Sequence, residues 1–254
     1  MNQRSPKDKP TLLLVHGFRG SHIGLETLAN EFKKLGYNTV VPDLPPWGEA
    51  GAMTEYTPDS YAKYLAEFIR RKKLVRPICV GQSMGTMVVA ATAERYPDLI
   101  DRRLILVAPI SAKPKRFVAM LSPLLTILPN KMIGYISTHY LQVDQDKATL
   151  RRTLDVTYRC AAKHSSRRDV FKASHFSTGF ELGDFKLRSQ FQLYFIAGDS
   201  DKLFPATKTK ACYNLFKLRH KTCRLDFIER TGHLVNCEKP EVIAKLSDDF
   251  LRAS

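Results

Sequence analysis

Short apolar runs alternate with amphipathic stretches of helical length along most of this 254-residue chain. That alternation restricts it to a mostly parallel sheet covered by helices, because parallel neighbours need a crossover between them. Thr11–Val15, Asn38–Val41, Arg76–Val80, Arg103–Val107, Phe191–Ala197 and Cys223–Ile228 read as strands. Between and after them, helical spacing of apolar residues predicts helices over Gly24–Leu35, Pro58–Lys73, Met84–Arg95, Ala206–Leu218 and Pro240–Leu251. The fold class expected is α/β, with a mostly parallel central sheet and helices on both faces.

The alternation breaks for about eighty residues after Arg103–Val107, far beyond an ordinary strand-to-helix loop. This divides the chain into a core of residues 1–110 and 190–254 and an inserted helical cap of 111–189. Within the insert Phe117, Met120, Leu121, Leu124, Leu125 and Leu128 fall at helical spacing, and Pro123 must break that run into two short pieces. The stripe predicts a roof over an acyl pocket, with Leu121 and Leu125 touching substrate. Lys113, Lys115 and Arg116 beside it also allow weak contact with an anionic surface.

Composition narrows the setting. The formal net charge of +15 attracts anions in general, but no nucleic-acid-binding module accompanies it and no specific nucleic acid is expected. Five scattered cysteines, odd in number and without metal-ligand spacing, argue against a disulfide framework or a zinc site. The polar opening MNQRSPKDKP lacks the apolar core of a signal peptide, and no apolar run approaches the ~20 residues of a spanning helix. A cytoplasmic location is expected.

The chemistry centres on Gly81-Gln82-Ser83-Met84-Gly85, placed between a predicted strand and a predicted helix. A Gly-x-Ser-x-Gly match is informative in that context, since a sharp turn there exposes the serine above the sheet and aims a helix N-terminus at developing negative charge. His16-Gly17-Phe18 follows the first strand, where a loop amide can face the same site; the amides of Phe18 and Met84 are therefore the candidate oxyanion hole. His16 itself is expected to pack and hydrogen-bond within its loop. A serine hydroxyl needs a base, and His233 in Thr231-Gly232-His233 follows the last strand. The base needs a carboxylate, for which Asp199 and Asp201 both stand after the Phe191–Ala197 strand. Trp47, in Asp43-Leu44-Pro45-Pro46-Trp47-Gly48, is a candidate for the pocket wall or for covering the core.

His-Gly-Phe near the start, the Gly-x-Ser-x-Gly turn, Gly-x-x-Asp followed by a proline, and a late Gly-His together resemble the α/β-hydrolase superfamily, in the branch of small esterases, lysophospholipases and related capped hydrolases. The resemblance covers nearly the whole chain, in the family order Ser, Asp, His. It implies Ser83 as nucleophile and His233 as base. Matching Gly-x-x-Asp-x-x-x-Pro onto Gly198 to Pro205 favours Asp201 over Asp199. The chain departs from the common pattern at Gln82, where many relatives have His, and at Thr86, where many carry a further glycine. The activity implied is hydrolysis of a carboxylic ester through an acyl-enzyme, on a small acyl substrate and without metal or organic cofactor. A thioester or carbon–carbon bond as the target, or a non-hydrolytic small-molecule binder on the same fold, are the alternatives.

Overall fold

A computed structural model describes residues 10–113, 128–161 and 166–253. Six strands form one parallel sheet: β1 (Thr11–Val15), β2 (Asn38–Val40), β3 (Ile78–Gln82), β4 (Arg103–Val107), β5 (Gln192–Gly198) and β6 (Cys223–Ile228), in the order β2-β1-β3-β4-β5-β6. Each strand pairs in parallel with its neighbours. The chain reverses its direction of travel across the sheet at β1 and β3, the place where open α/β sheets leave a crevice at their carboxyl ends.

β3 lies two residues later than the sequence pattern predicts. Arg76 takes a left-handed φ of 43° and Pro77 has no amide to give the ladder, so pairing begins only at Ile78. The strand then runs to Gln82, and the serine follows at once. α1 (His22–Lys34) starts two residues before the expected Gly24, behind the N-cap Ser21.

α2 (Pro58–Arg71) is started by a reciprocal pair in which Thr57 and Ser60 each bond the other's backbone amide, with Pro58 in the first turn. α3 (Met84–Arg95) is buried from Met84 through Ala93, because it lies between the sheet and α2. That is why its apolar residues show little sidedness. α7 (Ala206–Lys217) and α9 (Pro240–Ala253) complete the coat, with the short α8 (Val235–Glu238) between β6 and α9. Alternate strand residues feed two cores: Leu13 and Val15 pack with Tyr61, Leu65 and Met87 on one face, Leu12 and Leu14 with Leu25, Phe32, Ile243 and Phe250 on the other.

Between β4 and β5 lie α4 (Asn130–His139), α5 (Lys147–Ala161) and α6 (Arg167–Gly179), then a 3₁₀ turn over Leu182–Asp184. α4 packs on α5. α6 enters the main core, where the rings of Phe176 and Tyr61 lie 4.7 Å apart. The expected stripe from Phe117 through Leu125, with its break at Pro123 and the candidate contacts Leu121 and Leu125, lies outside the described residues. All five cysteines are unpaired thiols: Cys79, Cys160, Cys212 and Cys237 are buried and Cys223 is half-buried. Among the described residues no helix is long and apolar enough to cross a membrane.

Candidate active site

The turn from β3 into α3 is built by two close approaches. A Cβ on Gly85 would stand 2.1 Å from the carbonyl oxygen of Val15, and one on Gly81 would stand 2.7 Å from the carbonyl oxygen of Gly85. Only glycine at both positions lets the helix start this tightly over the sheet. Ser83 at the apex holds φ 51° and ψ −119°, a left-handed-side backbone that a non-glycine residue adopts only when its surroundings impose it. Its amide donates to the Val107 carbonyl at 2.9 Å, which ties the strained residue to β4.

From this apex a line of hydrogen bonds runs across the sheet ends. Ser83 Oγ lies 2.9 Å from His233 Nε2, and His233 Nδ1 lies 2.8 Å from Asp201 Oδ2. The other Asp201 oxygen accepts the amides of Leu203 at 2.8 Å and Phe204 at 3.0 Å. Asp201 Oδ2 accepts a hydrogen bond from the Nδ1–H of His233, which keeps the proton on Nδ1 and leaves Nε2 free to accept from the serine. All three side chains are buried. A hydroxyl in such a line can pass its proton to the imidazole as it attacks an electrophile.

Asp199, the rival acid, is exposed and turns away. It accepts from Ser200 Oγ at 2.8 Å and from the Thr231 amide at 3.4 Å. Burial acts to raise its carboxyl, but the hydrogen bonds from Ser200 and the backbone of Arg230 and Thr231 outweigh this and hold it below the usual range.

The loop after β1 abuts the serine: a Cβ on Gly17 would lie 3.0 Å from Ser83 Cβ. Among the described residues the amides of Phe18 and Met84 have no protein acceptor, so both remain available. His16 is held away from proton transfer. Its Nδ1 donates to the Gly17 carbonyl at 2.8 Å and its Nε2 accepts the Leu44 amide at 2.8 Å. Burial lowers its pKa to about 4, so the ring is neutral and serves as a strut between two loops.

Ser83 and His233 open on a cavity of about 380 Å³, within the range of small-molecule sites. Its walls are mostly apolar and include Ile133 and Ile136 of α4, Val156 of α5 and Leu203. Phe18 lines it as well. Trp47 is not among the lining residues, which leaves the second of its two candidate roles, covering the core. Its ring is buried behind the lining, edge-on to Phe18 at 5.3 Å and to His16 at 6.1 Å. Pro45 and Pro46, joined by a cis bond, lie just before it in the same loop.

One buried carboxylate has no counterpart in the sequence reading. Glu238 is 3% exposed and accepts the Gly232 amide at 2.8 Å through Oε1. Through Oε2 it accepts the amides of Val143 at 2.7 Å and Asp144 at 2.8 Å, in the segment that joins α4 to α5. Burial pushes its carboxyl above the usual range although those three donors act the other way. In the sequence it stands between Cys237 and Lys239, with nothing to set it apart from a surface charge.

A parallel sheet whose central strand ends on a strained serine, hydrogen-bonded through histidine to aspartate, defines an α/β architecture with a hydroxyl–imidazole–carboxylate site. Residues 10–240 match the family model for the alpha/beta hydrolase fold, and the chain belongs to that family. It is 22% identical over 255 residues to the "Uncharacterized hydrolase YugF" of Bacillus subtilis, spanning 96% of this chain and 90% of that one. To the human "Monoacylglycerol lipase ABHD6" it is 25% identical over 272 residues, covering 97% and 76%. Among solved structures, a thermophilic esterase from Thermogutta terrifontis superposes with a TM-score of 0.76 at 18% identity, over 96% of this chain and 90% of that one.

Proposed function

We propose that this protein is a serine hydrolase that cleaves carboxylic esters with an apolar acyl group. Ser83 attacks the ester carbonyl as His233 takes its proton. Asp201 fixes the imidazole tautomer and stabilises its charged form, and the amides of Phe18 and Met84 receive the oxyanion. His233 then protonates the leaving alcohol. Water, deprotonated by the same histidine, releases the acid and restores Ser83. The observation that carries this reading is the unbroken line Ser83–His233–Asp201 at 2.9 and 2.8 Å, set on a mostly apolar cavity. The kinship with a lipase and an esterase supports an ester as the target.

The test is covalent labelling with a fluorophosphonate, which reacts only with an activated serine. Wild-type protein should be modified at Ser83, and Ser83→Ala should lose both labelling and ester hydrolysis. Modification of another serine with Ser83 intact would sink the assignment. The expectation that Leu121 and Leu125 contact the acyl group is tested in the same assay: Leu121→Asp and Leu125→Asp should impair long-chain esters more than acetyl esters.

The five unpaired thiols support a reducing compartment such as the cytoplasm. A second reading, weak docking on anionic lipid, has one observation in its favour. Tyr135, Tyr140, Tyr158 and Phe171 are exposed on or beside the inserted helices, with basic residues among them. Flotation with anionic and neutral vesicles at low and high salt tests it: binding that is equal on both kinds of vesicle would exclude electrostatic docking.

A further inference from the structure

Three consecutive amides carry the histidine loop, and none of them is held by the sheet. Gly232 N–H donates to Glu238 Oε1 at 2.8 Å. His233 N–H and Leu234 N–H both donate to the Leu141 carbonyl, at 2.6 and 3.1 Å. The inserted segment that supplies Leu141 is itself fastened by Glu238, whose second oxygen accepts from Val143 and Asp144. One carboxylate therefore closes a bracket around the loop that aims the His233 ring. The same segment connects α4 to α5, which supply Ile133, Ile136 and Val156 to the cavity wall.

We propose that Glu238 is a positioning residue for His233. It sets the imidazole relative to Ser83 and locks that setting to the wall of the substrate cavity. The inference rests on the reading of Ser83 and His233 given above. Its physical content is that both oxygens act only as acceptors. A neutral amide at this position turns one acceptor into an N–H₂ group, which then faces N–H donors whichever way it is flipped. Either Gly232 or the Val143–Asp144 pair loses its partner, and the loop moves. Lys239 supplies the contrast. It joins the same two segments through its ion pair with Asp144 at 2.8 Å, but touches none of the three loop amides.

The experiment compares wild type, Glu238→Gln, Glu238→Asp and Lys239→Ala on one short ester, with folding checked by thermal melting. Fluorophosphonate labelling at Ser83 is timed in each. Wild-type labelling at Ser83 is needed first; its absence would overturn the functional reading rather than this inference. Glu238→Gln should lose on the order of 10- to 100-fold in kcat, as expected for a displacement of about an ångström remote from the chemistry. Its KM should stay within about twofold of wild type, with labelling slowed in step with kcat. Glu238→Asp keeps the charge and both acceptors but withdraws them by about 1.5 Å, so its kcat should fall between the two. Lys239→Ala should match wild type. The inference is overturned if Glu238→Gln keeps wild-type kcat, or if Lys239→Ala loses as much. Should Glu238→Gln not fold, wild-type kcat in Glu238→Asp overturns it equally.

Discussion

Replacing Asp201 by asparagine tests the site at the point where geometry fixes the outcome most tightly. Asp201 Oδ1 accepts two backbone amides, from Leu203 and Phe204. In Asp201→Asn the side-chain oxygen must keep that position, since the N–H₂ group placed there would face two donors. The N–H₂ therefore points at His233 Nδ1 and can only donate. His233 must then carry its proton on Nε2, the atom that in the wild type accepts from Ser83 at 2.9 Å. The base becomes a donor to the nucleophile and cannot remove its proton. By analogy with the triad of a serine protease, turnover should fall on the order of 10⁴-fold, equal to about 5 kcal/mol of transition-state stabilisation. KM should change little, because Asp201 does not line the cavity. Asp199→Asn should alter kcat by less than about threefold, since that exposed carboxylate touches only Ser200 and backbone. Steady-state kinetics of both variants on one ester decide the matter. A larger loss in Asp199→Asn, or near-normal turnover in folded Asp201→Asn, would refute the reasoning.

Three further outcomes follow from the same structure. Gly85→Ala should destabilise the fold by about 3 kcal/mol or more, because the new methyl would meet backbone oxygens of Val15 at 2.1 Å and His16 at 2.8 Å; a urea midpoint close to wild type would contradict the close packing described. His16, with its pKa lowered to about 4 against an ordinary 6.5, binds its proton more weakly folded than unfolded. Its contribution is thus complete above pH 6.5 and is lost as pH falls towards 4, by about 3 kcal/mol, and His16→Gln should flatten that part of the stability–pH curve measured by denaturant titration. Ile136→Trp should shorten the cavity and reduce hydrolysis of long acyl esters at least about tenfold relative to acetyl esters; equal loss on both would place the acyl chain elsewhere.

The sheet was legible in the sequence because its strands are short apolar runs between helices with one apolar face, as in α1 and α9. The positions of Ser83, Asp201 and His233 could be read for a related reason: each follows a strand, so the parallel arrangement carries all three to one edge. The register of β3 was less legible. Apolar content begins before Ile78, and only backbone conformation at Arg76 and Pro77 delays the pairing. Trp47 stays undecided in the sequence because a large aromatic beside a site serves equally as wall or as backing. The contact with Phe18 and His16 that decides between them is tertiary. Glu238 was hidden for the opposite reason. A carboxylate between Cys237 and Lys239 reads as surface, and its burial depends on three amides, two of them nearly a hundred positions away.

The unpaired cysteines sit in different parts of the molecule: Cys79 in the central β3, Cys223 in the edge strand β6, Cys212 in α7, Cys160 in α5 and Cys237 in α8. Thiol modification therefore offers a site-by-site clock of local opening without any added label. An edge strand opens at lower free energy than the centre of a sheet. A disulfide-exchange reagent should accordingly reach Cys223 first and Cys79 only with global unfolding, while the rate at Cys160 reports how often the inserted helices lift from the site. Substrate analogues that fill the cavity should slow Cys160 and Cys237, which line it, and leave Cys79 and Cys212 to follow the stability of the whole fold.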